Sequence, residues 1–353
     1  MDLLDIETPA LILDVDALDE NMAMLQSFLN GHSVKLRPHF KTNKSLEIVK
    51  KQLANGAKGI TCSKLSEAEV LVNAKVPNIL IANQIVQKSK IEKIAEFAGK
   101  THFIVCVDQQ QNIIDLNEAA EKAGSIIYIY IEFDVGMNRC GVKGYEDFYE
   151  LAKLITECPN LKFEGIQAYA GQLSHEENVE YKKEQIKIIE EKLIGLKKYV
   201  EDRGIAVQEI SGASTNTSLF KAAHGVYTEL QAGSYVYMDA AFRNCSLPYR
   251  NSLFLLTTVI SKSQDHIILD VGAKGLGLDQ VLPICKGYEN REYVVSEEHF
   301  GIYGSNISAE IGDKVWMIPG HCCTTVNLYP RMYVMKGDRI IDTWAVEGSL
   351  KSV

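Results

Sequence analysis

From residue 33 to residue 231 short β-branched runs alternate with longer stretches of helical period, and this alternation constrains the fold more tightly than any other feature of the chain. Strands are expected at residues 33–38, 58–63, 78–82, 102–107, 126–133, 162–169, 205–211 and 227–231. Between them, helical patterns occupy 45–54, 65–73, 91–98, 112–123, 145–157 and 176–202. Eight strand–helix units in so short a stretch match a closed (β/α)8 barrel, although an open doubly wound sheet would give a similar string. After Asp239 the rhythm changes to short strands without long helices, at 253–260, 266–270, 293–296, 314–318, 332–336 and 339–346. This predicts an α/β chain: a barrel over residues 15–240, and a mostly antiparallel β domain over 241–353 that also takes the N-terminal segment 1–14. No internal repeat or low-complexity linker interrupts the order.

Bulk properties narrow the function. A chain of 353 residues holds one large and one smaller domain, and 46% apolar with 24% charged residues suits a packed enzyme. The net charge of −9 argues against nucleic acid as a partner, because a phosphate-binding surface needs a basic excess. No run reaches the roughly 18 apolar residues of a membrane span, and residues 1–10 lack the basic and apolar regions of a signal peptide. A cytoplasmic protein is therefore expected, and its eight scattered cysteines are expected to be reduced.

In a barrel the chemistry collects where strands end, and the unusual polar clusters lie there. Arg37-Pro38-His39-Phe40-Lys41-Thr42 ends the first strand, and Arg37 or His39 beside Lys41 would make its amine easier to deprotonate and suited to condensing with an aldehyde. A solvated basic loop is the plainer alternative. Asp134 to Gly141 follows the fifth strand and carries Arg139 between glycines, either aiming a guanidinium inward or simply making a turn. Tyr169 and His175 follow the sixth strand, with His175 a candidate base or an exposed histidine beside a helix cap. Ser214 and Thr215 after strand seven, with Gly233, Ser234 and Tyr235 after strand eight, match the usual phosphate position of barrel enzymes, with plain turn chemistry as the alternative.

Outside the barrel, His321 and Cys323 are suitable metal ligands, and side chains two apart in an extended segment point the same way. With only two such ligands, a metal site would stay open. Buried cysteines packing as small apolar groups are the alternative. Gly272 to Gly277 follows a strand but opens no helix, so it is not a dinucleotide fingerprint.

Together these segments resemble the alanine-racemase-like, fold type III pyridoxal-phosphate enzymes, and within them the D-threonine aldolase and D-serine dehydratase family. The likeness runs from Thr8-Pro9-Ala10-Leu11 to Pro319-Gly320-His321 and Val326-Asn327-Leu328-Tyr329. It implies that Lys41 binds pyridoxal 5′-phosphate covalently and that Arg139, Tyr169, Ser214, Thr215, Gly233, Ser234 and Tyr235 bind the coenzyme. It further implies that His321 and Cys323 hold a divalent metal, that His175 acts as a base on the substrate hydroxyl, and that the enzyme is a homodimer. The thiolate favours zinc over manganese or magnesium. Three positions depart from the family patterns: Cys323 stands where the aldolases have Asp, Asn43 where His is frequent, and Gln231 where racemases of this fold carry Arg.

The expected activity is retro-aldol cleavage of a β-hydroxy D-amino acid to glycine and an aldehyde. Cys323 also matches the D-serine and 3-hydroxyaspartate dehydratase pattern, which would yield a 2-oxo acid and ammonia from the same residues. A racemase would need a second base and no metal, and a non-catalytic coenzyme carrier would leave the His321–Cys323 pair without a role.

Overall fold

The computed structural model describes residues 3–351, which cluster into two compact units. Leu25–Lys41 and Val49–Gly233, with Lys351, form the barrel unit. The residues up to Met24, with Thr42–Ile48 and Ser234–Leu350, form the β unit.

Strand β1 (Ala10–Asp14) comes first. The barrel strands are β2 (Lys35–Leu36), β3 (Ile60–Cys62), β4 (Asn78–Gln84), β5 (His102–Val107), β6 (Ile127–Glu132), β7 (Leu161–Ala168), β8 (Glu209–Gly212) and β9 (Glu229–Leu230). Among them run helices α1 (Val15–Leu29), α2 (Phe40–Asn43), α3 (Leu46–Ala54), α4 (Leu65–Asn73), α5 (Lys88–Ala98), α6 (Gln110–Ala123), α7 (Tyr145–Glu157), α8 (Val179–Glu201) and α9 (Ser218–His224).

The eight strands are parallel and lie in the order β2-β9-β8-β7-β6-β5-β4-β3. The ends of this order meet. Lys58 N–H donates to the Leu36 carbonyl at 2.8 Å, Thr61 N–H to the Pro38 carbonyl at 2.9 Å, and His39 bridges Thr61 in parallel. The sheet is thus a closed barrel rather than an open doubly wound sheet. Strand β5 is an apolar run buried on both faces, as a helix-covered parallel strand must be, with Phe103 to Val107 wholly buried.

Arg37 does not serve Lys41 as the sequence suggested. Its guanidinium forms a two-pronged pair with Glu229 at 3.0 and 2.8 Å, donates to Asn78 Oδ1 at 2.6 Å, and is fully buried. Lys58 and the Tyr130 hydroxyl, each at 3.0 Å, complete the shell around Glu229. Asn78 and Glu229 open β4 and β9, so this network lies toward the strand starts, while Lys41 follows the end of β2.

Eight more strands build the β unit with β1: β10 (Leu253–Lys262), β11 (His266–Leu269), β12 (Ile284–Cys285), β13 (Glu292–Val295), β14 (Phe300–Tyr303), β15 (Lys314–Ile318), β16 (Arg331–Lys336) and β17 (Arg339–Ala345). The main path is β13-β14-β11-β10-β1-β16-β17, with β15 pairing both β10 and β12. Strand β1 lies in its interior, antiparallel to β10 (Ala10 opposite Leu256) and parallel to β16 (Leu11 opposite Met332). Ile6, Ala10, Ile12, Phe254 and Leu256 form a core packed by Trp316, Tyr333 and Met335. No helix among the described residues is long and apolar enough to cross a membrane.

Candidate active site

In the barrel unit three candidates meet at one aromatic ring. Tyr169 follows β7 directly, and its hydroxyl hydrogen-bonds Ser174 Oγ at 2.9 Å. The Lys41 amine lies 5.8 Å from the ring centroid and the Arg139 guanidinium 5.5 Å from it, both within cation–π reach. Gly171 makes room for this ring, since a Cβ there would lie 2.8 Å from Tyr169 Cε1 and 2.6 Å from the Met137 methyl.

The loop that carries Arg139 is shaped by Asp134, whose Oδ1 accepts from the N–H groups of Gly136 and Asn138 at 2.9 and 3.1 Å. Partial burial opposes its charge, but these backbone donors outweigh it and hold the carboxyl below its ordinary range. Asn138 and Gly141 take left-handed backbone angles, with φ of 54° and 99°. Arg139 itself reaches Glu132 at 3.8 Å. Burial raises the Glu132 pKa, against the hydrogen bond from Gln84 and the arginine charge.

After β8, Ala213 adopts φ of 77° and the chain turns tightly, with Ser214 N–H donating to Thr217 Oγ1 at 3.0 Å and Thr217 N–H to the Ser214 carbonyl at 3.2 Å. Thr215 is buried beside them. Asn216 ties this turn to the loop after β7: its Nδ2 donates to the Glu176 carbonyl at 2.9 Å, and its Oδ1 accepts from buried Lys182 at 2.6 Å. His175, half-buried, immediately precedes Glu176 on the loop so tied. Gly233 ends the barrel unit's long segment.

In the β unit, Ser234 and Tyr235 open a short 3-10 turn. The Ser234 hydroxyl lies 4.0 Å from Cys323 Sγ, and Tyr235 is buried edge-to-face with Tyr249. Cys323 also contacts Thr42, the residue after Lys41 in sequence, with Sγ 3.3 Å from Oγ1. Lys44 fixes this segment by donating to Asn327 Oδ1 at 2.8 Å and the Gly348 carbonyl at 3.0 Å.

The His321 segment differs from the extended stretch expected from sequence. Residues Cys322–Val326 form a short helix, α10, with His321 as its N-cap in extended conformation. The helix arises because Thr325 returns both N–H and Oγ1 to the His321 carbonyl, and because Cys322 N–H is held by Asp239 Oδ2 at 2.7 Å. Cys322 is buried, whereas the His321 imidazole hydrogen-bonds the Cys323 sulfur and donates from Nδ1 to Asp279 Oδ2 at 2.8 Å. Burial disfavours the imidazolium, but Cys323 and then Asp279 and Asp239 outweigh it and push the pKa up to about 9. Burial pushes Asp239 up to about 6 against its backbone hydrogen bond.

The donor sets suit the groups that the sequence resemblance implies. An amine facing an aromatic ring, with hydroxyl and backbone N–H groups on nearby loops, suits an aldehyde coenzyme that carries a phosphate. An imidazole and a thiol in contact suit a borderline-soft divalent ion. Among the described residues no group of three or more His, Cys, Asp or Glu could hold a metal, so any ion held by this pair alone keeps open positions. Asp279, Asp239 and Lys44 were missed from sequence, because their contacts are long-range ones that no local spacing announces.

Residues 13–241 match the family described as alanine racemase, N-terminal domain, and residues 252–335 the one described as putative serine dehydratase domain. A 3-hydroxy-D-aspartate aldolase of Paracoccus denitrificans (strain Pd 1222) is 34% identical over 98% of this chain and 93% of the relative. The crystal structure of D-threonine aldolase from Filomicrobium marinum matches with a TM-score of 0.95 and 32% identity, over 98% of this chain and 96% of that one. A D-threo-3-hydroxyaspartate dehydratase of Delftia sp. (strain HT23) is more distant, 25% identical over 97% of each chain. Barrel, β sheet and a likeness that runs nearly end to end place the protein in the alanine-racemase-like family, in the branch of the D-threonine aldolases and D-serine dehydratases.

Proposed function

We propose that this protein is a pyridoxal-phosphate- and metal-dependent lyase that cleaves the Cα–Cβ bond of β-hydroxy D-amino acids, giving glycine and an aldehyde. The observation that carries this reading is the nearly full-length likeness to aldolases at 32–34% identity, against 25% for the dehydratase. When bound, the coenzyme supplies an electron sink for charge at Cα, and the divalent ion a Lewis acid for the hydroxyl oxygen.

The chain's own residues do the rest. Lys41 Nζ would carry the coenzyme, with Tyr169 and Arg139 beside it and Ser214, Thr215, Gly233, Ser234 and Tyr235 available to its phosphate. His321 and Cys323 would hold the ion, which we take to be zinc on the softness of the thiolate. His175 accepts the proton of the β-hydroxyl as the Cα–Cβ bond breaks, and a proton returned to Cα completes glycine. Assembly as a homodimer rests on the resemblance alone.

Cys323 favours a second reading, since aldolases of this family carry Asp there. In a dehydratase Lys41 would remove the Cα proton and hydroxide would leave from Cβ, and water would hydrolyse the imine form of the released enamine to a 2-oxo acid and ammonia. Incubation of the metal-loaded holoenzyme with D-threonine and with 3-hydroxy-D-aspartate separates the two. Glycine with acetaldehyde or glyoxylate is expected, whereas 2-oxobutanoate or oxaloacetate with ammonia, and no glycine, would reject the aldolase.

A further inference from the structure

The loop that follows β11 lies directly against the turn that presents His321. A Cβ on Gly277 would meet Thr324 Oγ1 at 2.0 Å, and one on Gly320 would meet the Val281 carbonyl oxygen at 2.0 Å. The contact is bonded as well as close, since Gly277 N–H donates to Thr325 Oγ1 at 3.0 Å. Asp279 is the residue that this loop delivers, and its two carboxylate oxygens have separate partners. Oδ1 accepts from the Thr324 hydroxyl at 2.6 Å, which fixes the plane of the carboxylate, and Oδ2 accepts from His321 Nδ1 at 2.8 Å. With Nδ1 so engaged, Nε2 is the nitrogen that can share an ion with the Cys323 sulfur, and a carboxylate behind an imidazole makes it a stronger donor.

We infer that Asp279 is a positioning residue for the metal: held by Thr324, it fixes the tautomer and direction of His321 so that Nε2 meets the ion together with Cys323. The inference rests on the reading that His321 and Cys323 bind the metal. A purely structural role, bracing the start of α10, would affect the stability of the metal-free protein and leave its affinity for metal unchanged.

The test is metal binding by the coenzyme-loaded full chain, with zinc titrated against a chromophoric chelator and cobalt(II) followed by its visible spectrum. Asp279→Ala is expected to weaken zinc binding by about 10–100-fold and to alter the cobalt spectrum. Asp279→Asn keeps an oxygen that can accept from Nδ1–H, so it is expected to recover part of the loss. Thr324→Val frees the carboxylate without removing it and is expected to fall between the wild type and Asp279→Ala, which keeps the test open if the alanine variant does not fold. Wild-type affinity in folded Asp279→Ala, with binding lost in His321→Ala, would overturn the inference and leave the metal reading standing. Wild-type affinity in His321→Ala would overturn the metal reading itself.

Discussion

Single side chains at the two candidate clusters differ in how far the sequence announced them. Lys41, Arg139, His321 and Cys323 stood out because chemically reactive or charged types followed predicted strands or a Pro-Gly turn. Asp279 and Asp239 did not, because they lie 42 and 83 residues from the groups they bind and share no motif with them. Arg37 was misread because sequence placed it near Lys41 but could not show that Glu229, 192 residues away, would take its charge. Two substitutions follow at this scale. Lys41→Ala is expected to abolish turnover and the visible absorbance that appears when coenzyme is added to the wild type, as a spectrophotometric titration would show. Gly277→Ala must displace Thr324 or the loop, so it is expected to weaken zinc binding in the same direction as Asp279→Ala and to cost about 1–3 kcal/mol of stability in urea melts.

At the level of elements, the barrel was legible because a strand buried on both faces is written as a continuous apolar run, and β5 begins and ends as the pattern predicted. Two neighbouring barrel strands were read too long: β2 and β9 keep only Lys35–Leu36 and Glu229–Leu230. There the chain departs into the site loops, so regular pairing is exchanged for bonds such as Arg37 N–H to the Leu230 carbonyl at 2.9 Å. Helix α10 was invisible because its backbone is organised by Asp239 and by the hydroxyl of Thr325, not by a hydrophobic period. The strand-start network gives a further prediction. Arg37→Ala removes the two-pronged partner of buried Glu229 and leaves it to Lys58 and Tyr130, and is expected to destabilise the barrel by about 3 kcal/mol, read as a fall in the urea midpoint.

For the molecule as a whole, the same pair sets a dependence on acidity. Burial disfavours the Glu229 carboxylate, but Arg37 and then Lys58 overcome this and pull its pKa down to about 2 from an ordinary 4.5. A group depressed in the folded state contributes its stability in full above its unfolded value and loses it as the pH falls. Glu229 should therefore cost the fold about 3 kcal/mol between pH 4.5 and pH 2, and urea unfolding across that window should lose that slope in an Arg37→Met, Glu229→Gln double variant.

Strand β1 carries an implication for how the protein is made. The segment that must end up inside the β sheet is translated well before the strands that flank it, since β10 and β16 follow some 240 and 320 residues later. Until then its backbone edges have no native neighbours, and such delayed pairing slows folding and invites aggregation. Residues 241–353 expressed alone would lack this inner strand and should be recovered insoluble, whereas adding a peptide of residues 1–14 during refolding should raise the soluble yield.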